Sequence, residues 1–267
     1  MMIQFGLIGY PLSHSFSKEY FASKFQQEHI SGYDYELFPL EKIEDLPSLL
    51  SRHPELAGLN VTIPHKINVL PYLQHLDETA NAIGAVNTIK ISRADAVPNE
   101  NPAAGSVGNP VLSGYNTDAY GFQKSLEPLL QPWHKKALIL GTGGASRAVL
   151  YVLEKLGITP LFVSRSPARD TSPGHTEQIA YSQLDAATVQ EYPLIINTTP
   201  LGTYPDTDNC PAIPYESFSE RNLLYDLVYN PAETLFLKKG KERGATIING
   251  LEMLRLQAEK AWKIWTT

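Results

Sequence analysis

The sequence predicts an α/β fold of two domains, the first built on a mostly parallel sheet. An apolar run at 137–140, a glycine loop at 141–144 and a helical pattern from residue 145 indicate a buried strand, a tight turn and a helix. A second apolar run at 160–163 follows one helix later, as a βαβ unit requires. Strands and helices also alternate before residue 91, and this order favours parallel strands covered by helices.

Polar side chains follow the predicted strands of the first half. These strands are expected at residues 3–8, 33–39 and 59–63. Ser13 and Ser15 follow the first strand, where they could cap the next helix or bind a carboxylate at its N-terminus. Asn60, Thr62 and Lys66 lie at or just beyond the end of the third strand, where open α/β sheets bind ligands. A loop lysine is usually solvated surface, but this one follows a segment rich in donors and stiffened by proline.

Residues 92–112 change the character of the chain. They are rich in Pro, Gly, Ala and Asn and lack periodicity, which indicates an extended loop or hairpin with little part in the core. A helix is expected directly after Asp118. This residue is expected to cap that helix unless Asn116 or Thr117 does so. The first domain boundary is placed here.

The glycine loop is a candidate phosphate site. Gly141, Gly143 and Gly144 let the backbone turn tightly and approach a ligand, and the helix N-terminus at Ala145 favours an anion. Ser146 stands at the sixth position of the dinucleotide-binding motif, where Gly or Ala is usual. The motif alone therefore leaves a simple turn open, and the βαβ context favours a Rossmann-type domain.

The turn after the second strand of this unit bears on the choice of cofactor. Ser164, Arg165 and Ser166 form it, and the nearest acidic residue, Asp170, lies several positions further on. An acidic residue here would bind the ribose 2′-hydroxyl of NAD, whereas an arginine accommodates the 2′-phosphate of NADP. The sequence therefore predicts NADP, the alternative being that Arg165 is a solvated loop residue.

The remaining elements continue the alternation of strands and helices. Later strands are expected at residues 193–202, 223–229 and 245–248. Helices are expected at 232–242 and 251–265, and residues 166–182 are expected to form a polar loop.

Composition excludes several classes of protein. The chain has 267 residues and a net charge of −6 without a basic run, so no nucleic-acid partner is expected. No segment approaches the roughly 20 apolar residues of a membrane span, and a signal peptide is not expected. The single cysteine, Cys210, fits a cytoplasmic location. The seven histidines lack metal-ligand spacing, so no metal site is predicted.

Eight motifs make the chain resemble the shikimate dehydrogenase family. They occur in the family's order and span nearly the whole sequence. They are GYPLSHSFS at 9–17, NVTIPHK at 60–66, AVNTI at 85–89, NTDAYGF at 116–122, GTGGASRA at 141–148, NTTPLG at 197–202, DLVYNP at 226–231, and NGLEML at 249–254 with Gln257. No single motif is specific, but the succession of NVTIPHK, NTD and GTGGA is.

The resemblance implies NADPH-dependent reduction of the small molecule 3-dehydroshikimate to shikimate, a step of chorismate and aromatic amino acid biosynthesis. It implies two α/β domains facing across a cleft. Residues 1–117, completed by the C-terminal helix at 251–267, would bind the substrate. Residues 118–250 would form the Rossmann domain that binds NADP.

The resemblance also implies roles for individual residues. Lys66 and Asp118 would flank the oxygen of the reacting carbon, and Ser13 with Ser15 would bind the substrate carboxylate. The other substrate-binding positions would be Asn60, Thr62, Asn87, Tyr229 and Gln257. The cofactor-binding positions would be Gly141, Gly143, Gly144, Ala145, Ser164, Arg165, Ser166, Thr198 and Gly250.

Departures from the family pattern leave the proposed catalytic pair intact. Lys18 stands where proline is usual, Glu252 replaces a small residue, and Ser164-Arg165-Ser166 replaces the commoner Asn-Arg-Thr. Two alternatives therefore stay open: a related dehydrogenase acting on quinate with NAD or NADP, and a non-catalytic nucleotide-binding protein of the same fold. The sequence leaves open whether the chain is a monomer or a homodimer.

Overall fold

The structure, a computed structural model, divides the chain into two compact units. It describes residues 2–12, 15–93, 110–167 and 176–267. Ser13, Asp170 and most of the predicted loop at 92–112 lie outside the described residues. One unit comprises Met1–Thr117 with Ala258–Thr267, and the other comprises Asp118–Gln257. Over the described ranges each unit contains one six-stranded sheet with helices, which confirms the α/β fold class.

The first unit contains six strands and four helices within its described residues, besides the end of the last helix of the chain. The strands are β1 Ile3–Gly9, β2 Tyr33–Pro39, β3 Leu56–Val61, β4 His75–Leu76, β5 Thr88–Ser92 and β6 Val111–Tyr115. The helices are α1 Phe16–Gln27, α2 Leu46–Arg52, α3 His65–Asn68 and α4 Glu78–Ile83.

The sheet of the first unit has the strand order β2-β1-β3-β5-β6-β4. β1 pairs in parallel with β2 and β3, and β4 pairs in parallel with β6, whereas β5 is antiparallel to β3 and β6. β5 and β6, which flank the predicted loop, are therefore adjacent antiparallel strands. Two details of the prediction were wrong. Residues 111 and 112 belong to β6 and not to the predicted loop. β3 ends at Val61 and not at residue 63, because the chain turns there, where the His65 N–H donates to the Thr62 carbonyl over 2.9 Å.

The second unit continues the numbering. Its strands are β7 Lys136–Leu140, β8 Thr159–Ser164, β9 Gln178–Ala180, β10 Leu194–Asn197, β11 Leu223–Asp226 and β12 Thr246–Ile248. Its helices are α5 Thr117–Leu126, α6 Gly144–Lys155, α7 Ala186–Glu191, α8 Leu235–Lys241 and α9 Leu251–Thr266. Thr117, the first residue of α5, belongs to the first unit. The part of α9 from Ala258 onward also belongs to the first unit.

The sheet of the second unit is parallel at every described pair, in the order β12-β11-β10-β7-β8-β9. Counted along this unit, that is the order 3-2-1-4-5-6 of the Rossmann fold read from its far edge. The chain reverses direction across the sheet between β7 and β10, and such a switch point is where doubly wound sheets bind dinucleotides. Strand β9 was not predicted, because residues 166–182 were expected to form a loop, yet β9 pairs with β8. Helix α7 was not predicted either.

The described residues contain no helix that could span a membrane. None of the helices there combines the length and the apolar composition that a span would need.

An aromatic cluster joins the end of α9 to the sheet of the first unit. The Trp265 ring stacks on Phe5 with centroids 4.6 Å apart, and its indole N–H donates to the Ile89 carbonyl over 3.0 Å. Gly58 makes this approach possible, since an added Cβ there would overlap the Trp265 ring. Phe21 stacks on Tyr35 with centroids 4.7 Å apart and extends the cluster. The end of α9 is therefore part of the core of the first unit.

Trp265→Ala should lower the free energy of unfolding by about 3–5 kcal/mol, because it removes a buried aromatic ring and leaves a cavity. Trp265→Phe should cost less, since it keeps most of the ring contacts and loses the indole hydrogen bond. Urea unfolding followed by circular dichroism measures both values. Trp133, which is 41% exposed, supplies the control: if Trp133→Ala and Trp265→Ala destabilise equally, α9 does not anchor the first unit.

Candidate active site

The glycine loop lies directly after β7 and is supported by the turn that follows β10. Gly141 has φ +99°, and an added Cβ there would lie 2.8 Å from Thr199 Cγ2. Thr198 donates to the Leu140 carbonyl from its backbone N–H over 3.0 Å and from its hydroxyl over 2.8 Å. The conformation and the close approach both require glycine at position 141. The structure thus brings Gly141 and Thr198, two predicted cofactor residues, together.

The start of α6 is open for an anion. A Cβ added at Gly143 or Gly144 would meet no atom within 4 Å. The hydroxyl of Ser146 donates to the Gly143 carbonyl over 2.6 Å. A serine at the sixth position of the motif therefore stabilises the loop from within and does not block it. The first amides of this helix, at Ala145 and beside it, point to where an anion would be held.

The turn after β8 carries donors suited to a phosphate. Ser164 is 6% exposed, and its hydroxyl has no hydrogen-bond partner in the described parts of the chain. Arg165 and Ser166 are exposed beside it. Burial raises the pKa of the Tyr181 phenol, and the Arg165 charge opposes that rise. An unpaired buried hydroxyl next to an exposed guanidinium fits the 2′-phosphate of a dinucleotide, so the residues present are compatible with NADP.

A buried carboxylate connects the turns after β10 and β11. Asp226 Oδ1 accepts hydrogen bonds from Asn197 Nδ2 over 2.9 Å and from the Val228 N–H over 3.0 Å. Its Oδ2 accepts from the Thr234 hydroxyl over 2.5 Å. The side chains of Asp226, Asn197 and Thr234 are fully buried. Burial raises the pKa of Asp226 to about 6, although the three hydrogen bonds favour the charged form.

The predicted residues Tyr229 and Gly250 belong to neighbouring turns of the second unit. Gly250 donates its N–H to the Val228 carbonyl over 3.2 Å, and an added Cβ there would overlap the Leu227 carbonyl. Tyr229 follows in the same turn and is 39% exposed. The close approach of the two turns requires glycine at position 250.

Asp118 and Gln257 lie on two helices that pack closely, α5 and α9. At Gly121 an added Cβ would lie 2.5 Å from the Met253 carbonyl oxygen and 3.2 Å from the Gln257 backbone nitrogen. Asp118, one turn earlier on α5, is 5% exposed. It is the second residue of α5, so it does not cap this helix, and of the three candidates only Asn116 directly precedes the helix. A buried carboxylate in the first turn of a helix is stabilised by the helix dipole.

In the first unit, Asn60 and Asn87 belong to one buried network. Asn60 accepts from the Tyr35 hydroxyl over 2.8 Å and donates to the Thr88 hydroxyl over 3.2 Å. Asn87 accepts from the Thr117 backbone N–H over 2.7 Å and donates to the Thr117 hydroxyl over 3.0 Å. Both amides therefore also hold β3, β5 and the start of α5 in place, and their role toward a substrate stays a prediction.

Thr62, in the turn after β3, and Lys66, at the start of α3, are tied to neighbouring parts of the sheet. The Thr62 N–H donates to the Ile8 carbonyl over 2.9 Å, and the Val86 N–H donates to the Lys66 carbonyl over 2.8 Å. The His65 imidazole donates from Nε2 to the Leu40 carbonyl over 2.6 Å. The backbone under Lys66 is therefore fixed by β1, by the end of β2 and by the segment before β5.

Ser15 supports the capping alternative for the first polar turn. It is the N-cap residue of α1, and its hydroxyl accepts from the Lys18 N–H over 3.4 Å. This long bond leaves the hydroxyl able to serve an anion at the same helix N-terminus. Lys18, which departs from the family pattern, forms an ion pair with Glu36 over 2.6 Å on the surface.

Two polar groups of these sites were not predicted from the sequence: Asp226 and His65. Both lie within motifs, in DLVYNP and NVTIPHK, directly after apolar runs. An ionisable side chain at the end of a buried strand must find partners inside the protein, which was the available signal. Among the described side chains, no group of His, Cys, Asp and Glu is arranged to hold a metal ion.

Comparison with known proteins gives a consistent result. Residues 7–89 match the family model of the shikimate dehydrogenase substrate binding domain. The shikimate dehydrogenase (NADP⁺) of Methanococcus maripaludis strain C6 is 38% identical over 98% of this chain and 90% of the relative. A solved shikimate dehydrogenase in complex with NADP⁺ is 33% identical, with a TM-score of 0.83, covering 99% of this chain and 90% of that one.

A further solved structure contains both ligands. The shikimate 5-dehydrogenase of Thermus thermophilus, in complex with NADP(H) and shikimate, is 30% identical to this chain with a TM-score of 0.80. The match covers 99% of this chain and 94% of that one. The likeness therefore extends over both units of the chain.

Asp226→Asn should flatten the pH dependence of stability. Because folding raises the pKa of Asp226 from 3.8 to about 6, the folded state binds its proton more tightly than the unfolded state. The resulting stabilisation is fully present below pH about 4 and is lost as pH rises through about 6. A pKa difference of about two corresponds to about 3 kcal/mol.

Urea unfolding at pH 4.5 and 7.5 measures this effect. Over that interval the wild type should lose stability relative to Asp226→Asn. The exposed Asp206 provides the control, since Asp206→Asn should follow the wild-type profile. Parallel profiles for wild type and Asp226→Asn would contradict the raised pKa.

Proposed function

This chain belongs to the shikimate dehydrogenase family, and we propose that Lys66 and Asp118 carry out its chemistry. It is an NADP-dependent oxidoreductase that reduces 3-dehydroshikimate to shikimate in aromatic biosynthesis. The observation that carries this conclusion is the similarity to shikimate dehydrogenases (NADP⁺) over 98% of the chain. Since both units are covered, the substrate-binding and cofactor-binding parts are both included.

Lys66 supplies the proton that the reaction needs. When bound, NADPH supplies a hydride to the carbonyl carbon of the substrate. The carbonyl oxygen then takes a proton, which the Lys66 ammonium donates while its charge stabilises the developing alkoxide. The rigid backbone under Lys66 supports this role, because a proton donor acts only when it is held within hydrogen-bond reach. A positive group also offsets the acidity of the chain for an anionic substrate.

Asp118 orients this proton transfer in the proposal. Its carboxylate accepts a hydrogen bond from the substrate hydroxyl or from the lysine, and so fixes their geometry. Its place in the first turn of α5 supports the assignment, because the helix dipole stabilises a buried carboxylate there. A protein that only binds nucleotides would not need a carboxylate at this position of the NTD motif.

The substrate carboxylate is assigned to Ser13 and Ser15 at the N-terminus of α1. The dipole of this 12-residue helix favours an anion there. Hydroxyl groups of the substrate are assigned to Thr62, Tyr229 and Gln257. Asn60 and Asn87 join this set, and their buried network supports them by holding both amides in one orientation.

NADP is assigned to the carboxyl edge of the parallel sheet in the second unit. Its pyrophosphate is assigned to the glycine loop with Ala145, and its 2′-phosphate to Ser164, Arg165 and Ser166. Thr198 and Gly250 are assigned to its nicotinamide end. The open start of α6 and the unpaired Ser164 hydroxyl support this arrangement.

Several finer properties remain proposals. The first domain, 1–117 completed by residues 251–267, is assigned to the substrate, and 118–250 to the cofactor. The composition of the sequence supports a cytoplasmic location and argues against a nucleic-acid partner. A monomer and a homodimer are both compatible with the sequence. An activity on quinate is the alternative to be tested beside shikimate.

Lys66→Ala should lower kcat by about 10²- to 10⁴-fold, the usual loss when a general acid is removed. The Kd of NADPH should change little, because the cofactor is assigned to the second unit. Steady-state kinetics and fluorescence titration measure the two quantities. Normal turnover by this variant would show that the assignment is wrong.

Asp118→Asn tests the second member of the pair. It should also lower kcat, and the double variant should lose less than the product of the two single losses, because the groups act as a unit. Strictly multiplicative losses would indicate that the two residues act independently. Lys124, an exposed residue on the same helix, supplies a control substitution to Ala that should leave kcat unchanged.

Arg165→Ala should weaken NADP far more than NAD, because only NADP carries the 2′-phosphate. The wild type should prefer NADP by at least about tenfold in kcat/KM, the scale of one charge-assisted contact. Assays with shikimate and with quinate, each with NADP and NAD, measure this preference. A wild-type preference for NAD, or equal losses for both cofactors, would favour the quinate-type alternative.

A further inference from the structure

We propose that Asp226 is a positioning residue that holds together the two turns bearing Thr198 and Tyr229, and with them the nicotinamide end of the cofactor site. This inference rests on the proposed function, since it concerns the same site. Asp226 itself touches neither substrate nor cofactor in the proposal. It acts through the backbone that it fixes.

In the turn after β11, the N–H of the second residue is held by Asp226. The Val228 N–H donates to Asp226 Oδ1 over 3.0 Å, two residues after the strand has ended. The Val228 carbonyl in turn accepts from the Gly250 N–H over 3.2 Å. One carboxylate oxygen thus determines the path of the chain between the strand end and Tyr229, and it aligns this turn with Gly250.

The turn after β10 is held through Asn197. This side chain donates to Asp226 Oδ1 over 2.9 Å from its Nδ2. Its own Oδ1 accepts from Thr199, from the backbone N–H over 3.0 Å and from the hydroxyl over 2.6 Å. Asn197 also uses its carbonyl, which accepts from the Leu227 N–H over 3.0 Å. Rotation of Asn197 would therefore disturb both turns, and its orientation is set by Asp226.

The second carboxylate oxygen anchors the pair of turns to α8. The Thr234 hydroxyl donates to Asp226 Oδ2 over 2.5 Å, and Thr234 is the N-cap residue of α8. A Cβ added at Gly202 would lie 3.4 Å from Thr234 Cβ, so the end of the NTTPLG segment packs against the same residue. Three separate segments converge on one buried side chain.

The chemistry of the site explains why a carboxylate stands here. Three donors from three segments need an acceptor with two oxygens, which a buried apolar side chain cannot supply. Burying a carboxylate is unfavourable by itself. Burial raises the pKa of Asp226 and so favours its neutral form. The turns that it organises carry predicted ligand-binding residues, and precise orientation is what such residues require.

Asp226→Ala and Asp226→Asn test the inference. The alanine variant loses both acceptor oxygens and with them all three hydrogen bonds, whereas asparagine keeps Oδ1 for Val228 and Asn197. Asn222 supplies a matched control, because it is 4% exposed and lies in the same unit at the opposite end of β11. Its side chain accepts from the Ser219 N–H over 2.8 Å and donates to the Pro193 carbonyl over 3.4 Å. Asn222→Ala therefore reports the kinetic effect of destabilisation alone.

The readouts are kcat and KM for shikimate, the Kd of NADP by fluorescence titration, and the melting temperature. Asp226→Ala should lower kcat about 10²-fold, the scale of a misplacement of about 1 Å, with a Kd for NADP within about threefold of wild type. Asp226→Asn should recover most of kcat. Asn222→Ala should lower the melting temperature and leave kcat within about twofold of wild type.

Equal kcat for Asp226→Ala and Asn222→Ala, both folded at the assay temperature, would overturn the inference. If Asp226→Ala does not fold, Thr234→Val and Thr234→Ser decide the question, since only the serine keeps the donor to Asp226. Thr234→Val should then have a lower kcat than Thr234→Ser, and equal values would overturn the inference. A wild type that does not turn over shikimate would instead contradict the proposed function.

Discussion

Close packing between turns at the carboxyl ends of neighbouring strands is the constraint on which both candidate sites depend. An added Cβ at Gly9 would overlap Thr62, one at Gly141 would lie 2.8 Å from Thr199, and one at Gly250 would overlap the Leu227 carbonyl. Parallel strands place these turns on one edge, and only glycine lets them approach within contact distance. Lys66, Thr198 and Tyr229 lie on or beside such turns, so their positions follow from the packing of the backbone.

At these edges, buried polar side chains accept hydrogen bonds from backbone N–H groups that have no partner strand. A turn that leaves the sheet carries backbone N–H groups without ladder partners, and burying them unpaired is costly. In the first unit, Asn87 accepts the Thr117 N–H. In the second unit, Asp226 accepts the Val228 N–H and Asn197 accepts the Thr199 N–H. Each of these side chains replaces a strand partner and fixes its turn in one conformation, which is why ligand-binding residues can be placed there.

The sequence predicted most elements of the fold because their signals are local. Apolar runs marked β1, β7, β8 and β11, and the glycine loop marked the start of α6. Strand β9 was missed because Gln178–Ala180 has no apolar run, and its pairing with β8 is a long-range contact. For the candidate site, motifs identified residues but not their partners. That Asn60 and Asn87 share one network, and that Asp226 binds Asn197, depends on contacts between residues 25 to 30 positions apart.

The net charge of −6 does not oppose the binding of two anionic ligands. Charges that face water are screened beyond about 8 Å at physiological ionic strength, so the local donors decide what binds. Two helices of 12 residues, α1 and α6, begin beside Ser15 and at Gly144, and their N-termini contribute partial positive charge. Lys66 and Arg165 add full charges near the ends of β3 and β8. These local positive charges make the strand ends favourable for a carboxylate and for phosphates.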